Sequence, residues 1–325
     1  MTRKILLTAA PGGHSGYAAA IAHYLREKGL QPVFIVARGD TWTKQKLQRY
    51  GKTIEITMPR RPGEPLVTTL HRWPQALLES LNHVKRDYKV LVSCGSNLSL
   101  APAVAAKIKG MKLVNIEAIV RMTTPGKTPR LLHPIADTTL VHWPEQQKLL
   151  PGAVVVGPIY EPPRYKPRDE GYILVTAGTT GHKKLFDAID KLDLPNIVLQ
   201  TGKIDPEPYK KRHPSWTVFR FDPDLDRWIA RASLVIAHFP GMTSATAALA
   251  YGKPVILVAA SHLKNSAPQR DGPLYAEKIG ALYVANISPR SIVEALEKAA
   301  SLTPHRHSNG AEKAAKITIK LISTW

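Results

Sequence analysis

Short apolar runs of strand length alternate with helical patterns along the whole chain, in two series separated by a proline-rich break. Most of these runs lack polar alternation, which is typical of parallel strands that helices cover on both faces. They predict strands at residues 5–8, 32–36, 54–57, 90–93, 112–116, 139–142 and 153–156, and then at 172–176, 196–200, 217–221, 234–237, 254–258 and 281–284. We therefore expect an α/β protein with two doubly wound, Rossmann-like domains.

The break between the two series is GPIYEPPRYKPRDEG, whose four prolines and mixed charge predict a linker. We expect a first domain over residues 1–160, a linker over 161–171 and a second domain over 172–305, with the two domains facing a cleft. A closing helix within residues 306–325 is expected to pack back on the first domain.

Charge and composition limit the class of partner. The net charge is +20, and residues 1–165 hold 23 Lys and Arg against 10 Asp and Glu, which indicates an anionic partner. Because no helix-turn-helix, zinc-finger or RNP motif is found, we expect an anionic membrane surface or a pyrophosphate-bearing substrate rather than nucleic acid. The lone Cys94 excludes an internal disulfide, and no apolar run reaches about 20 residues, so we expect a cytoplasmic protein without a membrane span.

The first strand leads into the motif GGHSG, where two glycines precede His14 at the mouth of a helix predicted over residues 17–25. Glycines let a backbone approach a ligand closely, and a helix N-terminus adds unpaired N–H groups and a positive dipole end. Open α/β sheets bind ligands at the carboxyl ends of their strands, so His14 is a candidate functional residue. A tight turn with an exposed histidine is the alternative interpretation.

Several longer segments resemble known proteins. GGHSG, CGSNLSLAPAVAAKI and NIEAIVRMTTPGKTPRLLHPIADTTLVHWPEQQKLLPGAVVVGPI resemble the membrane-recruiting subunit of the eukaryotic UDP-GlcNAc transferase that adds the second GlcNAc to dolichol-linked N-glycan precursors. ILVTAGTTGHKKLFDAI, VLQTG and LVIAHFPGMTSATAALAYGKPVILV resemble the donor-binding subunit of that enzyme. Both halves resemble, more distantly, the bacterial transferase that adds GlcNAc to the lipid-linked peptidoglycan precursor. The resemblance implies a fused, archaeal-type relative with the GT-B glycosyltransferase fold.

The resemblance also implies an activity. The expected reaction is an inverting, metal-independent transfer of GlcNAc from UDP-GlcNAc to a polyprenyl (dolichyl)-pyrophosphate-linked GlcNAc, which forms a β1,4 linkage in N-glycan precursor assembly. The implied acceptor site is on the first domain and the donor site on the second, with peripheral contact at the cytoplasmic face of the membrane, no cofactor and no obligate second subunit. Transfer of glucose, galactose or glucuronic acid, a catalytically silent recruiting scaffold, and a nucleotide-sugar epimerase of similar fold remain alternatives.

Catalysis and acceptor binding are expected on the first domain. His14 is the leading general base, since an imidazole with a pKa near 6.5 suits neutral pH. Glu117, at the end of a predicted strand, orients His14, acts as the base itself, or pairs with Arg121 one turn later. The acceptor pyrophosphate is expected at Gly12, Gly13, Ser15, Gly95, Ser96, Asn97 and Arg121. Ordinary strand-to-helix turn chemistry is the alternative for residues 95–97.

Donor binding is expected on the second domain, where two further strands lead into helix N-termini. The predicted donor residues are Gly178, Thr179, Thr180, Gly202, His238, Gly241, Met242, Thr243, Ser244, Gln269 and Asp271. For His238 a buried core position is an equal alternative. Two positions depart from the family pattern: Ala247 replaces a glutamate that accepts the ribose hydroxyls, and Gly272 replaces an asparagine beside the sugar-reading Gln269.

Two further segments have open interpretations. Residues 58–81 mix arginines with Trp73 and leucines, which suits an anionic membrane interface, although an amphipathic core helix after a basic loop fits equally. The carboxylates of Asp222, Asp224 and Asp226 precede a predicted helix, so we expect them to cap its N-terminus rather than to bind a metal.

Overall fold

The computed structural model describes residues 4–61, 64–65, 67–260 and 267–323. The chain divides into two compact units, one made of Met1–Glu161 with Ser308–Trp325 and the other of Pro162–His307.

In the described part of the first unit, seven parallel strands form a sheet in the order β3-β2-β1-β4-β5-β6-β7. The strands are β1 Lys4–Ala9, β2 Pro32–Ala37, β3 Lys52–Ile56, β4 Tyr88–Ser93, β5 Lys112–Ile116, β6 Thr138–Val141 and β7 Val154–Val155. The helices between them are α1 Gly13–Glu27, α2 Thr41–Leu47, α3 Arg72–His83, α4 Leu100–Ile108 and α5 Lys127–Leu132. The strand order reverses between β1 and β4, which makes their carboxyl ends the switch point of the sheet.

The second unit repeats this plan with six parallel strands in the order β10-β9-β8-β11-β12-β13 in its described part. The strands are β8 Ile173–Thr176, β9 Ile197–Gln200, β10 Thr217–Phe219, β11 Leu234–Phe239, β12 Val255–Ala259 and β13 Leu282–Val284. The helices are α6 Lys183–Asp190, α7 Glu207–Arg212, α8 Leu225–Arg231, α9 Thr243–Ala245 with a π-helical continuation at Thr246–Ala250, α10 Asp271–Ile279 and α11 Pro289–Ala299. Its switch point lies between β8 and β11.

All thirteen predicted strands are confirmed, because each predicted range overlaps an observed strand. The apolar strand residues are buried between helices in each unit, as in the clusters around Leu6 and Ile35 and around Leu199 and Ile236. Full burial of one such side chain contributes about 1.5–3 kcal/mol. The two-domain α/β prediction is therefore correct.

The last helix, α12 (Gly310–Ser323), packs on α1 in the first unit. The first residue of α12, Gly310, lies very close to the backbone of Gly157. A Cβ built on Gly310 would be only 2.2 Å from the carbonyl oxygen of Gly157. The Gly310 N–H donates to Pro158 at 2.8 Å, and the Asn309 side chain donates to the carbonyl of Tyr160 at 2.7 Å. Only a residue without a side chain fits at position 310.

The segment predicted as a linker is fastened to the second unit by hydrogen bonds. The Arg164 guanidinium binds the carboxylates of Asp224 and Asp226, and the Asp222 carboxylate accepts hydrogen bonds from Arg227 and from Trp228 Nε1. Asp224 occupies the N-cap position of α8 without a side-chain cap hydrogen bond. The three carboxylates therefore neutralise arginines instead of capping the helix through Asp224.

Candidate active site

His14 lies in the first turn of α1, because the helix begins at Gly13 and not at residue 17 as predicted. Its Nδ1 lies 2.8 Å from the carbonyl oxygen of Cys94, the residue that follows β4. A carbonyl oxygen only accepts, so Nδ1 carries the ring proton and Nε2 keeps its lone pair. The hydrogen bond thus selects the tautomer in which Nε2 accepts a proton.

The surroundings of His14 also keep the ring neutral. Burial lowers the pKa of His14, the carbonyl of Cys94 raises it in part, and the positive charge of Arg121 lowers it again. Because the net shift is downward, the half-buried imidazole is uncharged at neutral pH. An uncharged imidazole with a defined tautomer is suited to act as a general base.

Gly95 makes room for this imidazole. Its φ is +86°, and a Cβ built there would lie 2.9 Å from Nδ1 and 3.0 Å from Cε1 of His14. Both the backbone conformation and the packing therefore require glycine. Ser96, next in the chain, also has a positive φ of 66°, which is uncommon for a residue with a side chain. The sequence predicted an acceptor-binding role for Gly95; the structure adds a positioning role toward His14.

The glycines before His14 differ from each other. Gly12 has a φ of +83°, is exposed, and has nothing within 4 Å of a Cβ built on it. Its carbonyl accepts from the Ser15 hydroxyl at 2.7 Å, and Ser15 is buried. Gly13 starts the helix and is half-buried. Of these three predicted acceptor-binding residues, Gly12 and Gly13 present backbone to solvent, whereas the Ser15 hydroxyl is used within the helix turn.

Glu117 directly follows β5 and is fully buried. Its carboxylate accepts backbone hydrogen bonds from Ala118 at 2.6 Å and from Gly126 at 2.8 Å. Burial raises its pKa to about 7, although these N–H groups and the charge of Arg121 oppose the rise. The carboxylate thus fastens the two ends of the loop 117–126, whereas His14 is oriented by the hydrogen bond that its Nδ1 donates to the carbonyl of Cys94.

Hydrogen bonds from side chains that sequence reasoning missed hold the backbone of the loop 117–126. The Tyr17 hydroxyl accepts from the N–H of Ile119 at 2.8 Å, and Trp143 Nε1 donates to the carbonyl of Ile119 at 2.9 Å. Gln146 Nε2 donates to the carbonyls of Ala118 and Arg121 at 2.9 and 2.8 Å. These hydrogen bonds fix the backbone of the loop that carries Arg121.

A buried histidine, His142, completes this support. Its Nδ1 accepts from the N–H of Ile159 at 3.1 Å, and its Nε2 donates to the carbonyl of Glu117 at 2.8 Å. Burial lowers its pKa to about 4, so it stays neutral as a structural group. For His142, Trp143 and Gln146 the only sequence signal was their place in the segment TTLVHWPEQQ, which carried the family resemblance, whereas Tyr17 directly follows the motif GGHSG.

Asn97 connects the turn after β4 with a basic loop. Its Nδ2 donates to the carbonyl of Arg60 at 2.7 Å, while Arg60 Nε donates to the carbonyl of Glu64 at 2.7 Å. Arg121 is half-exposed and acts electrostatically on both His14 and Glu117. The structure thus places His14, Gly95 and Asn97 at the switch point of the first sheet, and Glu117 and Arg121 on the loop after the neighbouring strand β5.

In the second unit, β8 leads into a glycine turn at the corresponding switch point. Gly178 has a φ of +62° and Gly202 one of +64°; a Cβ at Gly202 would lie 2.6 Å from the Gly178 carbonyl oxygen and 2.7 Å from that of Thr179. Gly202 therefore lets the turn lie directly on the end of β9. Thr180 is exposed and Thr179 half-exposed, so both remain accessible.

His182 is a residue of this turn that sequence reasoning missed. It is the N-cap of α6, where its Nδ1 accepts from the N–H of Leu185 at 3.2 Å. Its Nε2 donates to the carbonyl of Ala259, at the end of β12, at 3.0 Å. This histidine fixes the start of α6 relative to the sheet.

His238, the second-last residue of β11, joins two of the predicted donor turns. A Cβ at Gly178 would lie 3.3 Å from its Cε1, and a Cβ at Gly241 would lie 3.1 Å from the same atom. The half-buried ring is therefore packed between the turn after β8 and the turn after β11. The ring is thus partly in the core, and donor binding by His238 stays a prediction.

The turn after β11 contains the next predicted donor residues. Gly241, Met242 and Thr243 are half-exposed, but Ser244 is fully buried. The Ser244 hydroxyl donates to the Gly241 carbonyl at 3.1 Å and lies 3.3 Å from the hydroxyl of Tyr275. Ser244 thus shapes the turn from inside.

Four further positions that the sequence singled out differ in their surroundings. Ala247 is buried in the π-helical turn, and Asp271, the first residue of α10, is also buried. Gln269 is half-buried and close to β13, where Tyr283 lies against it. Gly272 has no room for a side chain, because a Cβ there would lie 2.3 Å from the Tyr283 ring.

Two features concern metals and membranes. Among the described residues, no group of three or more His, Cys, Asp or Glu side chains has the arrangement of a metal site. Within the same residues, no helix has the length and apolar character that crossing a membrane requires.

The two halves of the chain match different protein families. Residues 5–159 match the family described as "Oligosaccharide biosynthesis protein Alg14 like", and residues 172–322 match the "Glycosyltransferase family 28 C-terminal domain". The first match includes His14, Gly95, Glu117 and Arg121, and the second includes the predicted donor turns.

Full-length relatives combine both halves. The UDP-N-acetylglucosamine–N-acetylmuramyl-(pentapeptide) pyrophosphoryl-undecaprenol N-acetylglucosamine transferase of Shewanella sp. strain ANA-3 is 26% identical over 318 residues, which cover 90% of this chain and 85% of that protein. The structure of MurG from Acinetobacter baumannii superposes with a TM-score of 0.65 at 18% identity and covers 98% of this chain and 100% of that chain. UDP-GlcNAc 2-epimerase from Neisseria meningitidis, bound to UDP-GlcNAc, gives a TM-score of 0.64 at 12% identity and covers 99% and 100%.

The structural neighbours include glycosyltransferases and epimerases, so the fold by itself does not select one activity. The two matched families and the full-length relatives make that selection. Together with the two parallel sheets, they show that this protein is a glycosyltransferase with the GT-B fold.

Proposed function

We propose that the protein transfers GlcNAc from UDP-GlcNAc to a polyprenyl-pyrophosphate-linked GlcNAc and forms a β1,4 linkage in the assembly of an N-glycan precursor. The acceptor binds the first unit and the donor binds the second, as in a single-chain relative of the archaeal type. The names of the matched family and of the Shewanella relative support an oligosaccharide or lipid-linked sugar acceptor.

The geometry of His14 carries this proposal. An inverting transfer needs a base for the attacking hydroxyl, and the Nε2 of a neutral, oriented imidazole supplies one. Nε2 removes the proton of the acceptor hydroxyl as that oxygen bonds to the anomeric carbon of the donor. The bond from this carbon to the phosphate oxygen breaks, and its electron pair leaves with UDP. The proton then passes from the imidazolium to solvent.

The remaining predicted residues serve the two charged groups. Arg121 and the backbone at Gly12 and Gly13 bind the acceptor pyrophosphate, since a planar guanidinium and free N–H groups suit phosphate oxygens. The turns at Gly178 and Gly241 stabilise the diphosphate that develops on the leaving nucleotide. Their packing on the shared His238 ring supports a common site.

A surface of the first unit supports peripheral contact with the cytoplasmic face of a membrane. Val67 and Leu70 precede α3, Leu78 lies on it, and these three side chains are 78%, 56% and 62% exposed. Ile108 on α4, which packs against α3, and Leu131 on α5 are exposed as well. With the positive charge of residues 1–165, this exposed apolar surface suits an anionic lipid interface.

The test is a transfer assay with a synthetic polyprenyl-pyrophosphate-GlcNAc acceptor and a panel of UDP-sugars. We expect GlcNAc transfer from UDP-GlcNAc with inversion, and a kcat about 10²–10⁴-fold lower for His14→Ala with unchanged affinity for UDP. Transfer of another sugar would refute the assigned donor. Binding of UDP-GlcNAc without transfer would favour a silent scaffold, and interconversion of the donor sugar would favour an epimerase.

A full kcat in His14→Ala, together with an inactive Glu117→Ala, would instead assign the base to the carboxylate. If Glu117 only holds the loop 117–126, its loss should be smaller, and the double variant should be little worse than His14→Ala.

A further inference from the structure

The predicted sugar-reading residue Gln269 is held by a tyrosine that has no role in the proposal above. The hydroxyl of Tyr283, on the edge strand β13, donates to Oε1 of Gln269 at 3.1 Å and to its backbone carbonyl at 3.2 Å. Gln269 Nε2 donates to the carbonyl of Ala260 at 3.4 Å. The amide is therefore held at both of its ends.

The ring of Tyr283 occupies the space beside Gly272. A Cβ at Gly272 would lie 2.3 Å from Cε2 and 2.5 Å from Cζ of this ring, far below any contact that a real Cβ makes. The ring also packs edge-on against Phe239, with the ring centres 6.0 Å apart. Tyr283 and Gly272 are thus mutually dependent, because the tyrosine fits only where residue 272 has no side chain.

The contacts determine which group of the Gln269 side-chain amide is available to a ligand. A phenolic hydroxyl has one proton and both of its Gln269 partners are acceptors, so the tyrosine is the donor. With Oε1 engaged and one N–H directed to Ala260, the second N–H is the group that remains for a ligand; the described residues supply no partner for it. An N–H donor recognises an oxygen, such as a sugar hydroxyl or an acetamido carbonyl.

We propose that Tyr283 is a positioning residue for donor-sugar recognition: it orients the Gln269 amide with an N–H toward the sugar of a UDP-sugar, and its ring takes the space left open at Gly272. The inference rests on the proposed function, since it concerns the sugar of the same donor. It also explains why the departure at Gly272 accompanies an aromatic residue eleven positions later in the chain.

Calorimetric titration with UDP-GlcNAc and with UDP alone tests this role. Tyr283→Phe keeps the ring and removes the hydroxyl, so we expect UDP-GlcNAc to bind about 3- to 10-fold more weakly, the effect of one hydrogen bond, while UDP binds unchanged. Gln269→Ala should weaken UDP-GlcNAc at least as much, and adding Tyr283→Phe to it should cause no further loss. Tyr209→Phe is the matched control, because it removes a buried-ring hydroxyl bonded to Asp187 in the same unit.

Three outcomes would overturn the inference: unchanged UDP-GlcNAc binding by Tyr283→Phe, equal weakening of UDP and UDP-GlcNAc, or additive losses with Gln269→Ala. Gly272→Ala provides a second approach if Tyr283→Phe gives little folded protein, since it displaces the ring and should cause the same sugar-selective loss. Failure of the proposed function looks different, because it would appear in the unaltered protein itself, as no binding of UDP-GlcNAc or as binding without transfer of GlcNAc to the lipid-linked acceptor.

Discussion

Replacement of Gly95 by alanine tests whether the position of the His14 ring, and not only its chemistry, sets the rate. The new methyl group would lie 2.9 Å from Nδ1, so the ring must move and the 2.8 Å hydrogen bond to Cys94 must lengthen or break. A displacement on the order of 1 Å can cost about 10²-fold in rate, and we expect that fall in kcat. UDP binding should stay unchanged, because the turns proposed to bind the donor belong to the other unit.

The stability of this variant separates backbone strain from the clash. Alanine at a φ of +86° costs about 1–2 kcal/mol, and displacement of the ring adds to that cost. Gly152→Ala is the matched control, since Gly152 has a φ of +82° with nothing within 4 Å of its Cβ. Urea unfolding should show a larger loss for Gly95→Ala than for Gly152→Ala.

A double variant separates the effect of the clash with His14 from the effect of backbone strain. In a His14→Ala background the clash is absent, so Gly95→Ala should cost only the backbone strain and should not lower kcat further. The reasoning would be refuted if Gly95→Ala kept the unaltered kcat and lost no more stability than Gly152→Ala.

Four further predictions concern pH, metal, membrane and donor. The folded-state pKa of Glu117, about 7, lies above its unfolded value, so its contribution to stability is present below pH 4.5 and is lost as pH rises to about 7. Relative to Glu117→Gln, the free energy of unfolding of the unaltered protein in urea should fall by on the order of 3 kcal/mol over this range. Parallel pH curves for the two proteins would contradict this. Transfer activity should survive EDTA, and a loss that Mg²⁺ or Mn²⁺ restores would reveal a metal site. Sedimentation with anionic vesicles should weaken as salt rises, because screening shortens to about 3 Å at 1 M; salt-resistant binding would point to insertion of Leu70 and Leu78. UDP-GlcNAc should raise the Tm more than GDP- or dTDP-sugars, and the reverse order would exclude uridine recognition.

The strands were predictable because most of them are short apolar runs with little polar alternation, and in a sheet covered on both faces that pattern has few alternatives. Helix starts were less predictable. The sequence pattern missed the first turn of α1 because its glycines have low helix propensity. The helix nevertheless begins at Gly13, because the buried face around Ala18 and Ile21 stabilises it. The two-domain class followed from local pattern; the exact start of the helix depended on packing.

For the candidate site, the sequence identified the residues that follow strands but not the contacts that hold them. The bond from His14 to Cys94 spans 80 positions, and the one from Tyr17 to Ile119 spans 102. Such pairs depend on strand order, which periodicity does not encode. The role of Gly272 was unpredictable for a local reason, because its requirement comes from the packing of α10 against β13, which places the ring of Tyr283 at this glycine.

The return of α12 to the first unit makes the second unit an insertion that two connections join to the rest. A chain divided in the linker near residue 161 would carry α12 on the second fragment, whereas its packing partner α1 and its contact at Gly157 stay on the first. The buried small residues Ala311, Ala314 and Ala315 would then form an interface between separate polypeptides. Such a division would thus turn an intramolecular helix contact into an interface between two subunits.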